Sequence, residues 1–232
     1  MPVQAADPVR RCYVGINAKF LAPMPGRSME ASRKLTLTQE VRRRRIIDAA
    51  IDCLARDGWH GTTLAAIAAE AGISRGLISY HFAGRTDLYE AVLETVVTTI
   101  FAEGSAEMQQ RIDSAQTAAA KLQAYIEGNL DFIGAHRREM AALGQVMPNL
   151  RGKDGSLHAS SDAEEPIIAG TALLFEFGSS TGEFRAVDAR LTAYTLRRCI
   201  DGAALKIVAD PEFDIDAYAR ELTSLFLRGV RS

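Results

Sequence analysis

The sequence predicts an all-α protein, and three observations carry that prediction. Apolar residues recur at three-and-four spacing along most of the chain, hydroxyl residues stand just ahead of several of these runs with glycines behind them, and no stretch shows the strict two-residue alternation of a strand. At 232 residues and 47% hydrophobic, the chain is long enough to bury a sizeable core. The pattern divides into three short helices followed by six more, and no internal repeat relates them.

Residues 1–36 lack sustained periodicity and hold several prolines, the composition of a disordered leader, with Met24 and Met29 as alternative start positions. The first helix begins behind Thr38, which with Val41 makes an incomplete capping arrangement. It carries Ile46, Ile47, Ala50, Ile51 and Leu54 on one face and stops at Gly58. A second helix opens at Thr62 or Thr63, whose hydroxyl can accept from the free amides of a first turn, and runs through "LAAIAAEA" to Gly72. Ser74 caps a third that ends near Phe82, and "AGRTD" breaks the chain before a long helix from Asp87 to about Ala102. Helical periodicity returns in "AAAKLQAYIEGNLDFIGAH" and "REMAALGQVM". Residues 148–166, polar, glycine-bearing and bounded by prolines, are expected to form a loop before three last helices at 167–179, 188–208 and 214–230.

The net charge of −2 hides an asymmetry. Residues 1–85 carry 13 Lys+Arg against 7 Asp+Glu, or +6, and residues 86–232 carry 14 against 22, or −8. A basic first third on an acidic body suggests two tasks, the first involving an anion. Cys12, Cys53 and Cys199 are odd in number and far apart, which indicates neither a disulfide framework nor a zinc site and points to a cytoplasmic protein. The early apolar stretch is interrupted by Asn17, Lys19 and Pro23, too broken for a signal peptide, and no apolar run approaches the ~20 residues of a membrane span.

The segment "GISRGLISYHF", residues 72–82, holds the most specific chemistry. Two helices crossing steeply within a few residues need a small side chain where they touch, Ala68, and a residue free to take positive φ at the turn, Gly72. Ile73, Ile78 and Phe82 then anchor the second helix, Ile78 and Phe82 lying one turn apart. The opposite face carries Arg75, Gly76, Leu77, Ser79, Tyr80 and His81, where a solvated helix would carry Glu and Lys. Such a face suits the major groove of a duplex: Arg reads guanine, Ser reads either base type and Leu77 can touch a thymine methyl. Gly76 lets the backbone approach the groove wall, and Ser74 caps the helix end whose free amides favour phosphate. Arg42 and Arg43 within the run to Arg45, Thr62 and Thr63, and Arg85 flank this face with phosphate-positioning groups.

The stretch "RRRIIDAAIDCLARDGWHGTTLAAIAAEAGISRGLISYHFAGRTDLYEAVL", roughly 43–93, resembles the N-terminal DNA-binding domain of TetR-type transcriptional regulators. Separated elements agree in order and spacing: "GTT", "IAAEAGIS", "YHF" and "GRTDLY". The resemblance implies a helix-turn-helix at about 63–82 inside a DNA-binding domain of residues 37–86. An all-α effector-binding and dimerisation body, residues 87–232, would follow. It also implies that positions matching Thr63, Tyr80, His81 and Arg85 hold phosphates, and that those matching Arg75, Leu77 and Ser79 face bases. Relatives often carry Thr or Ala in place of Leu77 and Tyr in place of Ser79, so the base preference here is this chain's own.

In the body, Leu191, Tyr194, Leu196, Ile200, Leu205, Leu222, Leu225 and Phe226 offer more apolar surface than one small domain needs, and the last two helices resemble the family's subunit-pairing helices. A C2 homodimer on a palindromic operator is expected, its reading helices about 34 Å apart. A small-molecule effector would lie among Phe101, Met108, Tyr125, Phe132, Met140, Met147, Phe175 and Phe177, with Glu176 facing solvent or, if turned inward, pairing with a cationic effector. On the family's pattern, its binding releases the operator, making the protein a repressor. His60, His81, His136 and His158 have no metal-ligand spacing, "GKDGS" lacks the order of a phosphate loop and no GxSxG elbow occurs, so no metal, cofactor or catalysis is expected. The alternative is a helical protein–protein interaction module without DNA binding.

Overall fold

The computed structural model describes residues 36–151 and 161–232. The leader, with Cys12, and residues 152–160 of the 148–166 segment lie outside the described residues. Ten α-helices and one π-helical turn order the described residues: α1 (Leu37–Gly61), α2 (Leu64–Ala71), α3 (Arg75–His81), α4 (Arg85–Thr95), the π turn Val96–Ile100, α5 (Phe101–Ser114), α6 (Ala118–Ala135), α7 (Arg137–Val146), α8 (Ser161–Ser180), α9 (Ala189–Ala209) and α10 (Ile215–Val230). The all-α prediction holds, the remaining β character among these residues being one isolated bridge, Phe184 to Arg231.

The chain groups into two compact units. One holds α1–α4 and α7. In it, α2 and α4 pack on α1 and α3 packs on α2. Ile46, Ala50, Cys53, Leu54, Ile67, Ile78, Leu88 and Val92 are wholly buried, so the apolar face read along the first helix is the core of this unit. This unit extends past residue 86, because α4 buries Leu88, Tyr89, Ala91, Val92 and Leu93, and it takes in α7, whose Arg138 reaches Asp52 of α1 at 3.1 Å. The other unit is organised on α6, which packs against α5, α8, α9 and α10. Glu183 binds the free amides of Ala118 and Ala119 at 2.8 and 3.2 Å, satisfying donors that a helix start leaves open.

Three helix limits differ from the sequence reading. The first helix is capped by Thr36, not Thr38: Thr36 Oγ1 accepts from Gln39 N at 3.4 Å while Gln39 Oε1 accepts from Thr36 N at 2.8 Å, a complete capping box two residues earlier. The long helix predicted to end near Ala102 continues through the π turn to Ser114, burying Met108 and Ile112. The helix predicted from 167 starts at Ser161 and runs through Pro166, where bidentate Arg190–Glu165 bonds at 2.9 Å and Arg198–Glu164 at 2.8 Å tie its first turns to α9.

The turn between α2 and α3 follows the expected geometry. Gly72 sits at φ 62°, ψ 40°, Gly72 N donates to Ala69 O and Ile73 N to Ala68 O, the paired bonds of a Schellman stop. Ser74 Oγ accepts from Leu77 N at 3.3 Å and starts α3. Ile78 is fully buried and Phe82 nearly so, whereas Ile73 is half-buried. Replacing Ile78→Ala should cost about 2–5 kcal/mol of stability, read as a lower denaturant midpoint of unfolding.

Candidate nucleic-acid interface

With Ile78 and Phe82 holding the inner side of α3, its outer side is open. Ser74, Arg75, Gly76, Ser79 and Tyr80 are exposed, and Leu77 and His81 are half-buried. Tyr80 is 68% exposed, a large aromatic surface left open. Its hydroxyl accepts from Gln39 Nε2 at 2.9 Å, and His81 meets its ring edge-on at 5.1 Å between centroids. Gln39 therefore caps α1 and steadies Tyr80 with one amide; the Thr36–Gln39 spacing signals the cap, whereas the bond to Tyr80 has no local signal.

The flanking residues divide into two kinds. Arg42 is exposed, as is Thr63, whose Oγ1 accepts from Ala66 N at 3.1 Å and starts α2. Arg43 is drawn inward: its Nη1 donates to His81 O at 3.1 Å and its guanidinium lies 4.2 Å over the Phe82 ring, so it fixes the end of α3. Arg85 is half-buried with its guanidinium 4.6 Å from Trp59 and 5.3 Å from Tyr89. These stacks hold it at the start of α4.

Thr62 is a correction. It is completely buried, its Oγ1 donates to Gly58 O at 2.7 Å and its carbonyl accepts from Tyr89 OH at 3.3 Å. Its hydroxyl closes the end of α1 after Gly58, which takes φ 70°, and is out of reach of a duplex. Beside it, Gln145 of α7 accepts from Trp59 N at 3.0 Å, a long-range bond without a sequence signature.

The aromatic and methionine positions expected to line an effector site fall in both units. Phe101, Met108, Tyr125, Phe132, Phe175 and Phe177 belong with α5, α6 and α8, whereas Met140 and Met147 belong with α1–α4. Phe101 meets Phe132 edge-on with centroids 5.5 Å apart, and the tilted His136 ring lies 4.3 Å from that of Phe132. Tyr125 is buried with its hydroxyl accepting from Thr171 Oγ1 at 2.8 Å, Phe175 is fully buried beside Phe184, and Phe177 lies under Lys121 Nζ at 6.0 Å. Met108 is buried against Gly128, where an added Cβ would meet its sulfur at 2.6 Å. Glu176 is exposed. Among the described residues no cluster of His, Cys, Asp and Glu could hold a metal, and no helix is long and apolar enough to cross a membrane.

An exposed helix seated on a helix-turn-helix scaffold defines the class: a DNA-binding regulator fold. The model for bacterial regulatory proteins of the tetR family matches residues 46–92. The HTH-type transcriptional regulator BetI of Cronobacter sakazakii is 30% identical over 195 residues, 82% of this chain and 91% of that protein. A transcriptional regulator from Saccharomonospora viridis, solved in complex with choline, superimposes with TM-score 0.68 at 26% identity over 83% of this chain and 99% of its own. A TetR-like regulator from Rhodococcus gives 0.63 at 26% identity over 82% and 95%. The chain belongs to the TetR family of transcriptional regulators.

The His81 imidazole has a buried Nε2 without a partner among the described residues, and its pKa is held below the ordinary value, first by burial and then by the positive charges of Arg43 and Arg42. The folded protein thus favours neutral His81. Stability from this group is complete above the ordinary pKa of ~6.5 and is lost as pH falls below it toward the depressed folded value. His81→Asn should flatten the fall in melting temperature between pH 7 and pH 5.5, measured by circular dichroism.

Proposed function

We propose that the protein is an effector-controlled repressor that binds a palindromic operator as a homodimer. One observation carries the DNA reading: burial of Ile78 and Phe82 beneath α3 aims Arg75, Ser79 and Tyr80 outward together. Arg75 and Ser79 contact base edges with Leu77 and Gly76 against the groove wall, while Arg42, Thr63, Ser74, Tyr80 and Arg85 position the phosphates, and His81, its Nε2 buried, supports this face through its ring contact with Tyr80. Arg43 supports this face from within.

Pairing of two copies is supported by an apolar stripe on α9. Leu191, Tyr194, Leu205 and Val208 are exposed there, with Leu225 exposed on α10, whereas Leu196, Ile200 and Leu222 of the set read from sequence are buried in the protein's own core. A stripe this apolar on a charged helix suits a second copy of itself. The two α3 helices of such a dimer would enter successive major grooves.

The effector class best supported is a small organic cation. Residues 86–232 carry a net −8, the Phe101–Phe132–His136 ring cluster and Tyr125 supply aromatic groups, and the Saccharomonospora relative holds choline. Cation binding would favour an arrangement in which the paired reading helices no longer match one turn of DNA, and a tenfold loss of affinity needs only ~1.4 kcal/mol of bias. The chain path from the reading helix to the body, through α4, the π turn and α5, is the route for that bias.

Selection of bound sequences from random duplex DNA should return a palindromic consensus. Arg75→Ala should then relax discrimination at one base position by about 1–3 kcal/mol, while Arg85→Ala weakens all sequences alike; identical specificity profiles for the two variants would contradict the assigned roles. Millimolar choline should raise the melting temperature and an uncharged isostere should not, a difference readable by differential scanning fluorimetry.

A further inference from the structure

The hydroxyl of Tyr80 is held in one polarity by a residue of another helix. Gln39, half-buried in the first turn of α1, makes two hydrogen bonds with its side-chain amide: Oε1 accepts from Thr36 N at 2.8 Å and Nε2 donates to Tyr80 OH at 2.9 Å. A backbone N–H can only donate, so the amide oxygen must face Thr36 and the nitrogen must face Tyr80. The capping box thus fixes an orientation that a lone glutamine side chain would leave open. An amide N–H can likewise only donate, so the Tyr80 oxygen accepts there and its own proton is directed away from Gln39. None of the described residues accepts that proton, and the side chain that carries it is exposed.

The direction of this proton decides what the tyrosine can hold. A phosphate oxygen offers lone pairs and no proton, so it binds a hydroxyl that donates and is repelled by one that shows it only oxygen. Had the amide been turned about, Tyr80 would have given its proton to Gln39 Oε1 and presented lone pairs outward. The ring is held as well, since His81 meets it edge-on at 5.1 Å between centroids. With Gln39 on the hydroxyl and His81 on the ring, Tyr80 is placed before a ligand arrives, which removes part of the ordering cost of binding. Arg42, three residues beyond Gln39 on α1, is exposed, and its charge is felt at His81 next to Tyr80.

We infer that Gln39 is a positioning residue of the DNA interface: by donating to the Tyr80 hydroxyl it commits that hydroxyl as a donor to a backbone phosphate of the duplex. Gln39 need not touch the DNA itself. The inference rests on the DNA reading proposed above. It assigns to the Gln39–Tyr80 pair affinity without base discrimination, since a phosphate carries no sequence information.

The test is a double-mutant cycle on the full chain with Tyr80→Phe, Gln39→Glu and the two combined. Binding is measured on a duplex recovered by selection and on a mixed-sequence duplex. Gln39→Glu keeps an acceptor for Thr36 N and puts a negative charge at a helix start, so the melting temperature should not fall. Its carboxylate cannot donate, so it draws the Tyr80 proton inward. Tyr80→Phe should weaken both duplexes about tenfold per subunit, the scale of one hydrogen bond to a charged group. Gln39→Glu should weaken the otherwise unaltered chain at least as much. In the Tyr80→Phe background its loss should be much smaller, because only the repulsion between its charge and DNA remains. Gln39→Ala, which brings no charge, should show the same dependence on the hydroxyl. Losses from Gln39→Glu and Gln39→Ala that agree within about twofold in the two backgrounds overturn the inference while leaving the α3 reading intact. So does a Tyr80→Phe variant that loses nothing, or one whose loss is confined to the selected duplex, which would make Tyr80 a reader of bases. Should the unaltered chain retain no duplex even at ~50 mM salt, the α3 reading fails and this inference with it.

Discussion

Burial of Ile78 and Phe82 is the constraint on which the DNA-binding unit depends. α3 has only seven residues, too few to be stable by its own hydrogen bonds, so its existence and its orientation both come from what it buries. Ile78 has no exposed surface, and Phe82 is covered on one side by the Arg43 guanidinium, whose charge is also bonded to the last carbonyl of the helix. Those interactions leave a single rotation for α3 about its axis, and that rotation puts Arg75, Ser79 and Tyr80 outside together.

The arginines of this unit show how one residue type serves two ends. Those on the scaffold side are neutralised or stacked, with Arg56 between two carboxylates, Arg138 between Asp52 and Glu139, and Arg85 on two aromatic rings. Their planar heads let them bond and pack at once, and exposed pairs of this kind add little stability each. Arg42 and Arg75 are instead exposed. The asymmetry seen in the overall charge is therefore uneven within the N-terminal third as well.

α7 joins α1 at the far end from the leader. Arg138 bonds Asp52, Glu139 is nearly buried under Arg138, and Gln145 meets the backbone at Trp59, immediately after the positive-φ Gly58. A helix whose bonds to α1 span 86 residues of chain thus completes the termination of α1, and Thr62 is spent on the same termination.

Local chemistry was sufficient for much of this protein. Gly72 as the αL stop, Ser74 and Thr63 as caps, and the three-and-four spacing of Ile46, Ala50 and Leu54 are interactions between residues a few positions apart, so the chain alone specifies them, as it does the inward side of α3. What only the tertiary structure decided involves partners far apart in sequence. Arg43 is a surface cation by its neighbours yet is turned inward by His81 and Phe82; Thr62 resembles its neighbour Thr63 yet is buried by Tyr89; Leu191 and Leu196 share one helix and one chemistry, and only packing on neighbouring helices separates the exposed one from the core. Spacing along a helix reports which residues share a face, and long-range packing decides which faces remain open.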